Sequence, residues 1–288
     1  MKFGCYAVGF KEAVVFRIAK RWISGKDLES GISGAEEAKA KGFAVILNYL
    51  GEDVTDLAQA QREFDEYLGI QRAIHEAGID GAASVKLTQF GLMVDEGLAL
   101  ERGRQVTVNA ESLGQLLWLD MEGSGFTSKT IEIYLALLER HKNVGIALQA
   151  YLRRSEADLS ALLDRGGRVR LVKGAYREGR DVVYPNRDEV QKNYSRLMHT
   201  LFERGDNFTI ATHDSVLIEE AKRLSDSHHA KFEFAMLRGI RDELKSELVR
   251  SGYRVVEYIP YGDQWYAYSI RRMKEHPSNI WLLLRSLV

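Results

Sequence analysis

The sequence predicts a (β/α)8 barrel of the TIM type, and three observations carry that prediction. Eight short apolar runs recur along the 288 residues, a length that one such domain commonly has. Segments with helical periodicity separate most runs, and this alternation predicts parallel strands joined by right-handed crossovers. No G-x-G-x-x-G motif follows the first run, so a closed barrel is favoured over the alternative of an open, doubly wound sheet. The runs are residues 43–49, 84–87, 116–121, 144–150, 169–172, 208–212, 231–236 and 253–259.

The first helices are predicted from residue spacing and from a capping pattern. Residues 11–24 form a basic amphipathic segment with its apolar residues on one face. Ser33 and Glu36 match the S-x-x-E capping box and predict a helix that begins there and continues to about Lys41. Residues 130–140 and 189–204 carry apolar side chains at helical spacing between two runs.

The domain organisation follows from these elements. One domain is expected over residues 1–288, with an N-terminal helical extension at 1–42 and the barrel at 43–288. Residues 261–275 predict a C-terminal helix over the mouth of the barrel, and residues 280–288 predict a last packed helix.

Composition narrows the class of protein. The chain is 45% hydrophobic and 28% charged, as in ordinary folded domains, and its formal net charge of −1 argues against a nucleic-acid partner. The one cysteine, Cys5, suits a reducing compartment, and no apolar run approaches the roughly 18 residues of a spanning helix. We therefore expect a cytoplasmic protein. The basic segment 11–24 either packs on its own domain or makes peripheral contact with an anionic membrane.

Polar side chains stand at the end of nearly every predicted strand. In a (β/α)8 barrel the carboxyl ends of the strands meet at one face, where catalytic groups lie. Each of these residues alone is more often a rim residue, but their coincidence on one face predicts an active site. They are Lys86, Asp120, Glu122, Gln149, Tyr151, Arg170, Lys173, Tyr176, Thr212, His213, Asp214, Glu233, Arg238, Tyr258 and Tyr261.

The stretch RVRLVKGAYRE, residues 168–178, concentrates this pattern. A buried strand there ends in Arg170, Lys173 and Tyr176, which brings two cations and a phenol to one place. A lysine at a strand end can form a Schiff base with a carbonyl substrate, so Lys86 or Lys173 makes an aldolase or lyase an alternative function. Arg271 and Arg272, in the predicted C-terminal helix, have the geometry to bind a carboxylate or a phosphate. The scattered histidines match no metal-site motif, and no metal is expected.

Seven segments at these strand ends resemble the proline dehydrogenases, and they cover the whole predicted barrel in order. The resemblance is to the short monofunctional form of these flavoproteins. It implies an FAD-dependent oxidoreductase that converts L-proline to (S)-1-pyrroline-5-carboxylate by hydride transfer from C5 to flavin N5. The electrons would pass to a membrane quinone, in the first step of proline degradation to glutamate. The segments are SVKLTQFGL, LDME, ALQAYL, RLVKGAYRE, ATHDS, FEFAMLRG and YIPYGDQWYAYSIRRM.

The resemblance also implies roles for individual residues around the substrate. Asp120 would be a catalytic carboxylate that orients the cationic cluster, and Arg170 would act at the N5–O4 edge of the flavin. Glu275 would be an i,i+4 partner of Arg271. The residues implied to bind proline are Lys86, Arg271 and Arg272 at its carboxylate, Tyr258 over its ring, and Leu237 in the pocket wall.

A second set of residues is implied to hold the FAD. One departure from the family pattern lies beside this set, because Arg238 stands where many relatives have an aromatic residue. The set is Met121, Gln149, Arg170, Lys173, Gly174, Ala175, Thr212 and His213.

Overall fold

A computed structural model describes residues 15–17 and 19–275 of the chain, with the backbone alone for residues 271–275. The described residues form a closed barrel of eight parallel strands arranged in chain order. The strands are β1 Ala44–Tyr49, β2 Gly81–Val85, β3 Leu117–Leu119, β4 Val144–Gln149, β5 Arg168–Val172, β6 Asn207–Ala211, β7 Lys231–Leu237 and β8 Val255–Tyr261. The barrel closes where β8 pairs in parallel with β1 over six residue pairs.

Among the described residues, an α-helix follows every strand, and a helix of 13 residues, Leu28–Ala40, precedes the first strand. A 3₁₀ turn at Leu87–Phe90 lies between β2 and the next helix. The helices are α1 Leu28–Ala40, α2 Leu57–Glu76, α3 Glu96–Ser112, α4 Ser124–Leu138, α5 Ser155–Asp164, α6 Arg187–Arg204, α7 Ser215–Ser227, α8 Asp242–Arg250 and α9 Trp265–Glu275. Side chains of Asp56, Asp95, Asn186 and Asp214 accept the first amide protons of α2, α3, α6 and α7, as expected of N-cap residues.

The predicted barrel is confirmed, since each of the eight apolar runs overlaps a strand. Two strands are displaced along the chain. β2 ends before Lys86, because that residue leads directly into the 3₁₀ turn. β8 begins at Val255, because the Tyr253 amide still donates to the Leu248 carbonyl at the end of α8.

Two helix predictions at the start of the chain are corrected. α1 begins at Leu28, five residues before Ser33, because Asp27 and Ser30 form the capping box. The Ser30 amide donates to Asp27 Oδ1 at 2.9 Å, so the S-x-x-E pattern at Ser33 lies inside the helix. The helix predicted over 11–24 ends by residue 19 in the described residues, and residues 1–14 and 18 lie outside them.

The interior of the barrel is divided into layers. Small residues and one tryptophan fill the middle, where Ala44, Ala82, Ala235 and Val256 surround Trp118. Glu233 was predicted at the carboxyl end of its strand, and that prediction is wrong, because Glu233 is the third residue of β7. It lies near the amino ends of the strands, where it forms ion pairs with two arginines at the bottom of the barrel. Most of the large aliphatic side chains point outward instead and form the core between strands and helices. The space for a ligand is therefore at the carboxyl ends of the strands.

The segment before α1 packs against the last described helix. Trp22 Nε1 donates to Ser269 Oγ of α9 at 3.1 Å, and the Ser24 amide donates to the Pro260 carbonyl of β8 at 2.9 Å. Trp22 and Trp265 belong to one buried apolar cluster. No described helix combines the length and the hydropathy that crossing a bilayer requires. The prediction for residues 280–288 lies outside the described residues.

Candidate active site

A cavity of about 430 Å³ opens at the carboxyl ends of β3 to β8. It brings together the residues implied to hold FAD with Asp120, Leu237 and Tyr258, whereas Lys86 is not in its lining and the side chains of Arg271 and Arg272 lie outside the described residues. Of the other strand-end residues, Tyr176 lines it, and Glu122, Tyr151, Asp214, Glu233, Arg238 and Tyr261 do not. The residues that line it are Asp120, Met121, Ala147, Gln149, Arg170, Val172, Lys173, Gly174, Ala175, Tyr176, Ala211, Thr212, His213, Ala235, Met236, Leu237 and Tyr258.

Three side chains from separate strands meet at the floor of the cavity. The Arg170 guanidinium forms a buried ion pair with Asp120 Oδ1 through Nη2, which also donates to Ser84 Oγ at 3.0 Å. The Tyr258 hydroxyl donates to Asp120 Oδ2 at 2.7 Å. Burial raises the pKa of Tyr258 well above its ordinary value, and the Asp120 carboxylate adds to that effect, so the phenol remains a donor. The floor is a fixed cation whose charge is balanced by one carboxylate.

Two polar atoms of residues that line the cavity have no hydrogen-bond partner among the described residues. They are Arg170 Nη1, a donor, and Gln149 Oε1, an acceptor, and both are buried. Gln149 is held by its other end, because Nε2 donates to the carbonyls of Met121 and Glu122 at 2.9 Å each. Buried polar groups are normally paired, so these two atoms suit a ligand that offers both an acceptor and a donor. The isoalloxazine ring of FAD offers both, and the residues present therefore fit it.

The turn after β5 brings backbone amides to the same cavity. Gly174 has a φ of 103°, and a Cβ there would overlap the Tyr151 ring, so only glycine fits this turn. Lys173 Nζ lies 2.7 Å from Asp214 Oδ2 at the end of β6. Burial raises the pKa of Asp214, but the hydrogen bond and the charge of Lys173 outweigh it and lower that pKa below its ordinary value.

β6 and β7 are joined at the cavity by a histidine. The Leu237 amide donates to His213 Nε2 at 2.9 Å, so this nitrogen is an acceptor and carries no proton. Thr212 Oγ1 accepts the Asp214 amide at 3.1 Å and stabilises the first residue of the following turn. His213 and Leu237 are thereby held in one register at the cavity wall.

Lys86 lies beside the cavity, on the side of β1. Its Nζ donates to the Gly51 carbonyl at 2.8 Å and lies 3.8 Å from Glu52 Oε2. The Tyr176 hydroxyl donates to the same Glu52 oxygen at 3.2 Å. The side chains of Arg271, Arg272 and Glu275 lie outside the described residues, although the backbone places all three in α9.

Arg238, which departs from the family pattern, turns away from the cavity. Its Nη2 forms an ion pair with Glu37 of α1 at 2.5 Å, and Nη1 donates to the Gly34 carbonyl at 3.1 Å. Nη1 also lies 3.5 Å from Glu257 Oε2. The arginine therefore links α1 to β7 and β8.

Comparison with known proteins decides the family. The proline dehydrogenase family model matches residues 32–280 of the chain. The chain belongs to the proline dehydrogenase family. It is 35% identical to proline dehydrogenase of Deinococcus radiodurans, over 95% of this chain and 91% of that protein. It is 33% identical to proline dehydrogenase 2 of Bacillus subtilis strain 168, over 94% of this chain and 93% of that protein.

A solved structure shares the fold of this proline dehydrogenase family member. The crystal structure of proline utilization A from Bdellovibrio bacteriovorus, inactivated by N-propargylglycine, matches 94% of the chain with a TM-score of 0.86. The sequences are 24% identical, and the chain spans 34% of that much longer protein. The likeness supports the barrel fold.

The sequence patterns did not single out several residues that shape the site in this family member. Ser84 and Trp118 contact Arg170 from the interior, and Ala147, Ala211 and Ala235 leave room for the cavity. Except for Ala211, which ends β6, these residues lie before the last residue of their strand, whereas the sequence prediction considered mainly the polar residues at and beyond the strand ends. Side chains of a barrel strand point alternately into and out of the barrel, so the inward positions of each strand would have identified these residues.

Another role was not predicted, although its residue was recognised as a strand-end group. Glu122 accepts the Thr88 amide at 3.1 Å through Oε1 and the Thr88 hydroxyl through Oε2. Burial raises the pKa of Glu122 to about 7, although the bonds from Thr88 and the charge of Lys86 oppose the rise. Glu122 therefore fixes the 3₁₀ turn that follows Lys86.

Proposed function

We propose that this protein is a proline dehydrogenase that oxidises L-proline to (S)-1-pyrroline-5-carboxylate with FAD as its cofactor. The observation that carries the proposal is the lining of the cavity, in which the buried cation Arg170 keeps one donor without a partner and Gln149 keeps one acceptor without a partner. The membership in the proline dehydrogenase family, whose relatives are named for this activity, supports the same reaction.

The residues that would hold FAD line the cavity on the side of β4 to β6. Gln149 and the Met121 backbone would bind one edge of the ring, and the Lys173–Gly174–Ala175 turn would contribute a cation and backbone amides. Thr212 and His213 would bind from the end of β6. FAD, when bound, supplies the acceptor for a hydride that leaves proline C5.

Proline would be held by its carboxylate. Lys86 is one cation available for it, and the helix α9 carries Arg271 and Arg272 past the end of β8. Charge-assisted hydrogen bonds to a carboxylate contribute about 1.5–3 kcal/mol each. Tyr258 would pack over the ring, and Leu237 would close the pocket wall. Loss of a hydride from C5 and of the N–H proton leaves the C=N bond of the product.

Arg170 and Asp120 would act together at the reacting edge. A cation fixed beside the cofactor stabilises the negative charge that develops there, and it needs no reorganisation because its neighbours already hold it. Asp120 pairs with that cation and accepts the Tyr258 hydroxyl, so it orients both groups. These two residues are the proposed catalytic pair.

The Schiff-base alternative is less well supported by the contacts of its two lysines. Lys173 pairs with Asp214, and Lys86 donates to the Gly51 carbonyl near Glu52. Both arrangements suit ammonium groups that bind anions, whereas a Schiff-base lysine attacks as a neutral amine. Borohydride reduction with a carbonyl substrate would trap the lysine if the alternative were correct.

The visible spectrum of the purified protein tests the proposed function. We expect a yellow protein, or a colourless one that turns yellow with added FAD, and we expect its absorbance to bleach anaerobically with L-proline. D-proline serves as the control substrate, because the same carboxylate contacts would place its C5 hydrogens differently. Failure to take up FAD, or a bound flavin that L-proline does not bleach, would refute the proposal.

The proposed electron acceptor is a quinone, and peripheral membrane contact through the basic segment 11–24 stays a prediction. A soluble quinone added anaerobically should restore the colour that L-proline bleached, and no restoration would exclude this acceptor. Flotation with anionic liposomes, compared with neutral ones, tests the membrane contact. Recovery of the protein with neither kind of liposome would exclude it.

A further inference from the structure

We propose that Trp118 is a positioning residue for Arg170, and that its indole holds the guanidinium of that arginine in place beneath the cavity. The inference rests on the proposed function for the statement that Arg170 acts beside FAD. The contacts that carry it belong to the interior of the barrel, one layer below the cavity.

The barrel is built around the indole of Trp118. This side chain is 1% exposed, and its neighbours in the interior are mostly small, among them Ala44, Ala82 and Ala235. Trp118 pairs in register with Gly145 on β4, and a Cβ at Gly145 would lie 2.5 Å from the indole ring. The neighbouring strand therefore lacks a side chain at the one point where the ring needs the space.

Arg170 lies over this ring. Its Cζ is 4.8 Å from the centroid of the Trp118 ring and 5.5 Å from that of Tyr258. Both distances are within the range of cation–π attraction, which is strongest over tryptophan and grows when the pair is removed from water. The Arg170 side chain is 3% exposed, so this pair meets that condition.

The polar contacts of Arg170 hold its guanidinium at one end. Ser84 and Asp120 both accept from Nη2, whose two N–H groups lie in the guanidinium plane, while Nη1 has no partner among the described residues. The ring faces of Trp118 and Tyr258 support the rest of the group. Loss of the indole therefore removes one of the two aromatic faces that hold the end carrying Nη1.

A double-mutant cycle separates positioning from simple packing. Trp118→Met keeps much of the apolar volume but has no aromatic face, and Trp118→Phe keeps a smaller aromatic face. Each substitution is made in the wild-type protein and in the Arg170→Gln variant. The control Ile46→Ala removes volume from the same interior cluster but leaves in place the ring and polar contacts described for Arg170. Release of FAD from the diluted holoenzyme and the rate of bleaching by saturating L-proline are measured, together with Tm.

We expect Trp118→Met to speed FAD release and to slow bleaching by about tenfold each, with a smaller effect of about threefold in Trp118→Phe. In the Arg170→Gln protein, neither substitution should change either rate further. Ile46→Ala should lower Tm and leave both rates within about twofold of wild type. If Trp118→Met does not fold, the same cycle is read from Trp118→Phe.

The inference is overturned if the Trp118 variants keep wild-type rates, or if they lose as much in the Arg170→Gln protein as in the Arg170 protein. FAD release does not depend on turnover, so it tests Trp118 even if L-proline fails to bleach the wild-type flavin. That failure would refute the proposed function and leave the effect on FAD release to decide the role of Trp118. A protein that binds no FAD would overturn both.

Discussion

At the scale of single residues, the floor of the cavity shows how a buried cation is kept in place. Arg170 is almost fully removed from water, which costs several kcal/mol for an isolated ion. Asp120 supplies the opposite charge, and Tyr258 and Ser84 occupy the remaining hydrogen-bonding positions on that side. Removing any one of these side chains leaves a buried polar group of another without its partner, so the stability of each contact depends on the others.

Tyr258→Phe tests the hydrogen bond at this floor. The substitution leaves Asp120 Oδ2 without the donor at 2.7 Å, and an unpaired buried acceptor costs about 1–3 kcal/mol. We expect kcat/KM for L-proline to fall at least about tenfold, while the flavin content stays at the wild-type level. Tyr253→Phe is the matched control, because its hydroxyl lies near Ser225, 3.5 Å away, on the outside of the barrel. Equal activity of the two variants would contradict this role of the Tyr258 hydroxyl.

Glu122 makes folding stability depend on pH. Its pKa is raised by burial from 4.5 to about 7 in the folded protein, so the folded state binds a proton more tightly than the unfolded state. The stability contributed by this proton is complete below pH 4.5 and is lost as the pH rises through about 7. The full loss is about 3 kcal/mol.

Glu122→Gln should remove that loss, because the amide stays neutral at every pH. Urea denaturation of both proteins between pH 4.5 and pH 8 measures the difference. We expect the free energy of unfolding of wild type to fall relative to the variant across this range by about 3 kcal/mol. Glu132→Gln, at an exposed side chain of α4, is the control and should leave the pH profile of wild type unchanged. Parallel profiles for wild type and Glu122→Gln would contradict the raised pKa.

At the scale of elements, the loop between β5 and α6 is pinned to a neighbouring helix. α4 begins at Ser124 after Gly123, which has no side chain to cap it. Glu178, from the loop, accepts the Ser124 amide and the Ser124 hydroxyl at 2.6 Å each. A carboxylate at this end also suits the helix dipole. The loop that carries Gly174 is thereby tied to the first turn of α4.

Glu178→Ala should loosen this loop. Loss of a helix cap costs about 1 kcal/mol, and the freed loop should be cleaved faster by trypsin after Arg177 and Arg180. Glu219→Ala removes an exposed carboxylate of α7 and is the control for the change of charge. Limited proteolysis followed by mass spectrometry measures the cleavage. A cleavage rate equal to that of the control would show that the contact does not hold the loop.

The elements themselves were largely predictable, and their ends were not. Buried parallel strands appear as continuous apolar runs, and all eight runs overlap a strand. The start of α1 was wrong because Asp27 and Ser30 form a capping box that a search for S-x-x-E does not match. β2 ended early because the 3₁₀ turn after Lys86 depends on Glu122, which is distant in sequence.

At the scale of the whole molecule, the two ends of the described chain meet over one side of the barrel. Trp22 packs against Trp265 and donates to Ser269, so the segment before α1 holds the last described helix in place. That helix carries Arg271 and Arg272, which are proposed to bind the substrate carboxylate. Proline affinity should therefore depend on a residue that lies outside the cavity.

Trp22→Ala tests this dependence. Loss of the indole removes a buried hydrogen bond and leaves a cavity beside α9, and such truncations cost about 3–5 kcal/mol in well-packed cores. We expect KM for L-proline to rise at least about threefold, with FAD affinity unchanged. Trp22→Phe keeps most of the packing and should give a smaller rise. Weaker FAD binding with an unchanged KM would contradict the dependence.

The whole site was predictable only in part, for a physical reason. Strand order alone placed Asp120, Arg170 and Tyr258 at one face, because parallel strands in a barrel end together. The direction in which each side chain turns depends on partners far away in the sequence. Arg238 illustrates this, since it follows a strand directly and yet binds Glu37 outside the cavity.

The pairing of Trp118 with Gly145 has a consequence for how this barrel can change over generations. A side chain at 145 cannot be accepted while the indole is present, and loss of the indole alone opens a hollow under Arg170. Each substitution is harmful by itself, whereas the two together exchange volume between adjacent strands. Sequence drift at these two positions should therefore be correlated, and relatives with a smaller residue in place of Trp118 should carry a side chain in place of Gly145.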